Sequence, residues 1–487
     1  MLTVDWEEQA GNFSSLILKL HKEKSLSKQA SEQELKDALE GLAMCTLKSA
    51  NVRESCGTNT ALLNALGDAI EVPRLTFSAL QILAYASAYR PRMSDEQKKM
   101  QQLQAYAANS KVPPPNPLDD DEHVTKRCKS IADAKVVSHI VKAAPKATHL
   151  SIALAVQIIN SLSFDKKSRG ILAQQGAVRL LVRLWETSRQ NPNPNEQEQL
   201  ATQIPACNAI ARILISTDPT VYFTGEARKE QILPTCAAML HQLLSHDPSD
   251  SSPGPRDWLP AFEALLALTN LASLDDMSFK EGIAKENFAI IEDLLLSHNH
   301  NIRMRAMELL TNLSYTEYVV GMFSTDLRSK QRMDVLLALV GSAERGTRLA
   351  ALGSLCMMTE ASEAVARSFL QHEKSAQMAS RVIDPPIEDV ELAEPVGEEE
   401  QYRLCYLART LDGSGQADLQ KWVREWVGRA RRNGDGRIAG VAAMLMLKTA
   451  NQEMREIITK VLLRDVALSD EEKGALVVKM REMGLGS

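Results

Sequence analysis

The segment Ala267-Leu-Thr-Asn270-Leu-Ala-Ser273 returns as Leu309-Leu-Thr-Asn312-Leu-Ser314, one supersecondary unit further along the chain. Each copy closes an apolar helical stripe, Phe262-Glu-Ala-Leu-Leu-Ala-Leu in the first and Arg305-Ala-Met-Glu-Leu-Leu in the second. A recurrence of about 40 residues, helical in period and without strand signal, points to stacked repeats, because one such unit cannot bury its apolar face alone. The expected fold class is all-α, an armadillo/HEAT-like right-handed helical solenoid. Such chains bind along an extended concave face and seldom do chemistry.

Length and composition agree. A chain of 487 residues outgrows a single compact core, whereas a solenoid lengthens repeat by repeat. Aromatic residues make up only 5%, as thin helix-on-helix layers built from small and unbranched side chains require. A net charge of −6 leaves no electrostatic footprint for nucleic acid or an anionic membrane. The seven cysteines never form a C-x-x-C pair and lie scattered through apolar stretches. They read as buried, reduced thiols of a cytoplasmic protein. No apolar run reaches the roughly 18 residues of a membrane span.

Sliding the Leu-Thr-Asn register along the chain puts Thr46, Tyr85, Asn160, Arg212, Asn270, Asn312 and Met357 in equivalent slots, with vaguer ones near Arg409 and Leu447. Spacings gather at roughly 40 to 58 residues, the armadillo and HEAT range with insertions. The insertions are Pro/Asn/Ser-rich, as in Gln190-Asn-Pro-Asn-Pro-Asn-Glu and His246-Asp-Pro-Ser-Asp-Ser-Ser-Pro-Gly-Pro255. Two larger breaks divide the chain. N-terminal armadillo-like helices are expected over 1–109, an exposed, partly extended Pro/acidic linker over 110–124, and the armadillo core over 125–383. An acidic loop follows over 384–402, and C-terminal helical repeats with a cap over 403–487. Asp384 to Glu400 alone holds eight acidic residues, three prolines and no base, a composition that resists packing. The last helix should open at the capping box Ser469-Asp-Glu-Glu472.

Four segments taken in series resemble the armadillo-type UCS domain of myosin-directed chaperones. They are Arg169-Gly-Ile-Leu-Ala-Gln-Gln-Gly-Ala-Val-Arg-Leu-Leu, Phe262-Glu-Ala-Leu-Leu-Ala-Leu-Thr-Asn-Leu-Ala-Ser, Ile290-Ile-Glu-Asp-Leu-Leu-Leu-Ser-His and Ala350-Ala-Leu-Gly-Ser-Leu-Cys-Met-Met-Thr-Glu. The resemblance covers about residues 125 to 480. Residues 33 to 95 resemble the family's central armadillo region more weakly, through Glu40-Gly-Leu-Ala-Met-Cys-Thr-Leu-Lys-Ser-Ala-Asn-Val-Arg-Glu. Animal members begin with a tetratricopeptide domain, for which nothing before residue 33 has room. The chain is therefore similar to the fungal type of UCS protein, or to an animal-type member without that domain, with heat-shock chaperone engaged indirectly. The resemblance implies binding of the myosin heavy chain motor domain, to help it fold or keep it active, without nucleotide.

In armadillo solenoids the third helix of each repeat lines the concave face. An asparagine amide there offers donor and acceptor to an extended backbone whatever its side chains. The partner-binding candidates are Asn160, Asn208, Arg212, Asn270, Glu308 and Asn312, with Val156 and Leu266 one turn from their slots. The alternative for each asparagine is a local brace within its own repeat. Lys166, Lys167, Arg169, Arg303 and Arg305 read as a solvated rim or as contacts for an acidic partner. Arg424, Arg429, Arg431, Arg432 and Arg437, interleaved with Trp422 and Trp426, suggest an amphipathic helix that meets acid rather than nucleic acid.

No site for catalysis is legible. There is no G-x-x-x-x-G-K loop and no Gly-x-Ser-x-Gly elbow. His298 and His300 sit in an Asn-rich turn without the companions a metal needs. A non-enzyme without cofactor or metal is expected. The rival is a general armadillo adaptor for a folded partner or peptide signal. Import-type adaptors need Trp-x-x-x-Asn on successive third helices, and Val156, Leu266 and Glu308 stand where the tryptophans would be.

Overall fold

A computed structural model of the protein describes residues 5–22, 29–90, 95–107, 116–190, 196–223, 226–246 and 257–371. Among these residues every regular element is helical and no strand occurs. The chain divides into two units, residues 1–271 and 272–487.

The first unit runs α1 (Trp6–Lys22), α2 (Gln29–Lys48), α3 (Ala50–Thr58), α4 (Thr60–Ile70), α5 (Thr76–Ser87), α6 (Asp95–Ala107), α7 (Asp121–Asp133) and α8 (Val136–Ala143). It continues with α9 (His149–Leu162), α10 (Ser168–Gln174), α11 (Ala177–Arg189), α12 (Glu196–Ile215), α13 (Pro219–Tyr222), α14 (Glu226–Ser245) and α15 (Leu259–Leu271). The described part of the second unit is α16 (Met277–Leu295), α17 (His300–Leu313), α18 (Glu317–Ser324), α19 (Ser329–Val340), α20 (Arg345–Ala361) and α21 (Glu363–Gln371).

Local chemistry sets the helix starts. Side chains of Ser49, Asn59, Asp120, Thr148, Asp276, Asn299 and Thr316 each accept a first-turn amide, removing orphan donors. Gly176 separates α10 from α11 at φ 90°, in the left-handed region that costs glycine nothing.

Helices α2, α5, α9, α12 and α15 pack each on the next, forming a front row in the first unit. Behind it lie α1, α3, α4, α7, α8, α10, α11 and α14. The core between the layers is Leu, Ile, Val and Ala, with Leu63, Leu66, Ile82, Ile158, Leu181, Ile210 and Leu268 wholly buried. Each such side chain contributes about 1.5–3 kcal/mol of transfer free energy. In the second unit α17 packs on α20, backed by α16 and α19. The slots Tyr85, Asn160, Arg212 and Asn270 fall on the front row, and Asn312 and Met357 on α17 and α20. Thr46 on α2 is different. It is buried and donates to Leu42 O, so α2 turns Met44 and Leu47 outward instead.

The expected extended linker is only partly described, because residues 110–115 lie outside the described residues. From Asn116 onward it is ordered by charge. Pro117–Asp119 form a 3-10 turn capped by Asn116, and Asp119 receives Arg53 through Nε at 2.9 Å and Nη2 at 2.5 Å. Arg127, fully buried, donates to Ala86 O, Leu118 O and Glu54 Oε2 and lies 3.5 Å from Asp119. Gly57 makes room for it, since a Cβ there would stand 2.7 Å from the arginine chain. The acidic run is therefore not uniformly solvated: Asp119 is a structural anion.

The expected acidic loop 384–402, the tail 403–487, the Arg/Trp cluster and the Ser469 capping box lie outside the described residues. The six described cysteines are all buried. Burial pushes up the thiols of Cys45, Cys56, Cys128, Cys207 and Cys236, that of Cys56 to about 11 and those of Cys128 and Cys236 to about 12.

Candidate partner-binding face

The front row buries one side and leaves a part-exposed stripe on the other. On α5 the stripe is Phe77, Gln81 and Tyr85, at the four-residue spacing of one helix face. On α9 it is Leu150, Leu154, Gln157 and Ser161, with Phe164 just past the helix end. Asn208 and Ile215 continue it on α12, and Leu259, Phe262 and Leu266 on α15. Leu150 is 68% exposed, and Phe77 and Phe164 are each 39% exposed, large apolar groups that a monomer gains nothing by leaving in water. The amides of Gln81, Gln157 and Asn208 are spaced among them.

Charge on this face is paired internally. Arg212 is 4% exposed, donates from Nε to both oxygens of Glu263 at 3.1 and 2.9 Å, and from Nη1 to Asn160 Oδ1 at 3.0 Å. Its guanidinium lies 3.8 Å from the Phe164 ring centroid, and that ring lies 4.9 Å from Tyr89. Stacking leaves the rim of the guanidinium open for hydrogen bonds, so one arginine ties α9, α12 and α15 together. Arg169 adds to the joint through Ser163 O at 2.8 Å and Ser216 Oγ at 3.1 Å. Burial pulls its guanidinium below the ordinary range; the charge of Glu263 opposes this and that of Arg212 adds to it.

The sequence-derived residues thus meet different fates. Asn160 and Arg212 come together as partners of one another. Asn270 donates to Leu214 O at 2.7 Å and Thr217 O at 3.0 Å, carbonyls at the end of α12, so both amide hydrogens tie α15 to the preceding row helix. Glu308 accepts Arg305 at 2.7 Å on the same helix, and Asn312 is part-exposed on α17. Asn208 alone of the six has a side-chain oxygen that is buried without a partner among the described residues, an unfavourable state that a bound donor would relieve. Of the basic residues, Lys166 and Lys167 are exposed, while Arg303 holds Ser297 O and Glu344.

Sequence reasoning missed the apolar stripe. Its signal was present as Phe77-x-x-x-Gln81-x-x-x-Tyr85 in a helix otherwise buried all round. That periodicity was masked by the neighbouring core residues, which are equally apolar.

Comparison with known proteins bears on what such a face binds. No family model matches the chain. Ring assembly protein 3 of Schizosaccharomyces pombe is 28% identical over 325 residues, covering 64% of this chain and 40% of its own length. Unc-45 homolog B of Danio rerio is 28% identical over 339 residues, 68% of this chain and 33% of its own. The chain is a homologue of these two proteins. The myosin chaperone UNC-45 from C. elegans, solved with an Hsp90 peptide, superposes with a TM-score of 0.63 at 22% identity, over 86% of this chain and 42% of that one. That likeness carries the fold, an armadillo-like solenoid. The chain spans 40% or less of the length of these two curated relatives.

Proposed function

We propose that this UCS homologue is a cytoplasmic myosin-binding co-chaperone that holds part of the myosin motor domain along the front row of its first unit, assisting folding or stability. The observation that carries the reading is the stripe of exposed apolar and aromatic side chains, interrupted by amides. A partly folded client exposes apolar side chains and unpaired backbone, and this face offers a match to both. Asn208, Gln81 and Gln157 take client backbone, and Phe77, Leu150, Leu154 and Phe164 take its side chains. Asn160, Arg212 and Asn270 keep the row in shape, while Glu308 and Asn312 serve a client segment on the second unit.

The reading includes no catalytic step and no nucleotide or metal, since holding a chain requires only reversible contacts. Heat-shock chaperones enter indirectly, through the client. A test is sedimentation of purified myosin motor at its aggregation temperature with and without the chain. Protection by the wild type, lost with Leu154→Asp, supports the reading; equal protection by both refutes it. Recovery of a folded partner in place of myosin would favour the adaptor alternative.

A further inference from the structure

The second unit holds a partly open cavity of about 200 Å³ lined from α16, α17, α18 and α19 and the residues that flank them. Only the buried flank of α17, through Leu310, contributes to it. Its floor is apolar, with Phe288, Ile291, Leu295, Phe323 and Leu336. Engineered apolar cavities near 150 Å³ accept benzene, so roughly this space admits one aromatic ring or a branched alkyl group.

The polar groups at the wall divide into two kinds. Arg332 is fully engaged. It donates to Glu292 at 2.6 Å, to Asp326 at 2.5 Å and to Met322 O at 3.1 Å, and lies 5.3 Å from the Phe288 ring. Glu292 is held by the same arginine. The other two charged side chains, Asp293 on α16 and Arg328 just before α19, are exposed; neither forms a side-chain hydrogen bond among the described residues, although the Arg328 charge helps hold the Asp326 carboxyl down.

Those two exposed charges are opposite in sign and come from different segments around one apolar space. A simple acid would gain Arg328 and be repelled by Asp293; a simple amine would meet the reverse. A molecule that carries both charges beside one apolar group satisfies all three features. We propose that this cavity binds a free apolar α-amino acid of the phenylalanine or leucine kind. The side chain enters among Phe288, Phe323 and Leu336, the carboxylate meets Arg328, and the ammonium meets Asp293. This site is separate from the client face and does not depend on it.

The test is saturation-transfer NMR on the full chain with three probes: L-phenylalanine, 3-phenylpropionate, which lacks the ammonium, and 2-phenylethylamine, which lacks the carboxylate. L-phenylalanine should bind about tenfold more tightly than either, the scale of one charge-assisted contact. Arg328→Ala should remove the advantage over 2-phenylethylamine, and Asp293→Ala the advantage over 3-phenylpropionate. Both residues are exposed, so an unchanged melting temperature certifies the fold. Val335→Phe, which fills the cavity from α19, should abolish binding of all three. Equal binding of the three probes, absence of L-phenylalanine binding, or binding that survives Val335→Phe in a folded chain overturns the assignment.

Discussion

The two Leu-Thr-Asn-Leu helices use the same letters for different joints. On α15 the asparagine makes the inter-helix bonds, reaching Leu214 O and Thr217 O, while Thr269 bonds back to Leu265 O within its own helix. On α17 the threonine crosses instead, from Thr311 Oγ1 to Ala350 O at 2.8 Å, and Ser314 meets Ser354 at 2.6 Å. The neighbour decides. α20 presents Ala350, Ala351, Gly353 and Ser354, small residues that let a short hydroxyl reach backbone. The end of α12 presents open carbonyls, which need the longer reach of an amide.

The polar joints differ in energetic weight, and mutation can rank them. Glu263→Ala should be the largest effect, because it leaves Arg212 buried without its anion; about 3–5 kcal/mol is expected, read as a shift of the denaturation midpoint. Arg212→Met in the Glu263→Ala background should recover much of that loss, and failure to do so would mean that the ion pair is not what the joint depends on. Asn270→Ala comes next, at about 1–3 kcal/mol, because two helix-end carbonyls lose their donor. Thr311→Val should cost about 1 kcal/mol and Thr269→Val less, since the Thr269 hydroxyl donates back to Leu265 O whereas that of Thr311 also reaches Ala350 O on α20. Equal losses at Thr311 and Thr269 would erase the distinction between the joints.

A smaller effect separates the charged clasp of α3 and α7 from the neutral joint of α17. Burial raises the Asp119 carboxyl, but the bonds from Arg53 and the charges of Arg53 and Arg127 outweigh it and hold the group below the ordinary carboxylate range. A depressed carboxyl stabilises the fold above its unfolded value, about 3.9, and that contribution fades as pH falls through the lower folded value. The wild type should therefore lose stability in acid below about pH 4 faster than Asp119→Asn, which is weaker at neutral pH but lacks this titration. Parallel acid melting curves would contradict the assignment.

The fold was legible because helical repeats announce themselves twice, through an apolar period and through recurrence. Six of the seven internal slots fall on part-exposed or joint-forming positions of row helices; Thr46 does not, since α2 is rotated so that Met44 and Leu47 face outward. The site was less legible for a physical reason. An asparagine can cap a neighbouring helix or hold a guest backbone with the same amide, and sequence does not reveal which carbonyl lies within 3 Å. Arg212 shows the same ambiguity: its slot suggests a groove contact, whereas Glu263, Asn160 and Phe164 converge on it from distant positions and bury it.

The central claim is that Asn270 braces the row while the apolar stripe holds the client. It is tested most directly by measuring myosin motor affinity and melting temperature together on Asn270→Ala and Leu154→Asp. Asn270→Ala should melt several degrees lower with affinity per folded molecule unchanged, and Leu154→Asp should lose binding by about tenfold or more with little change in melting. If Asn270→Ala instead loses binding at an unchanged melting temperature, the asparagine is a client contact and the assignment of the two roles is reversed.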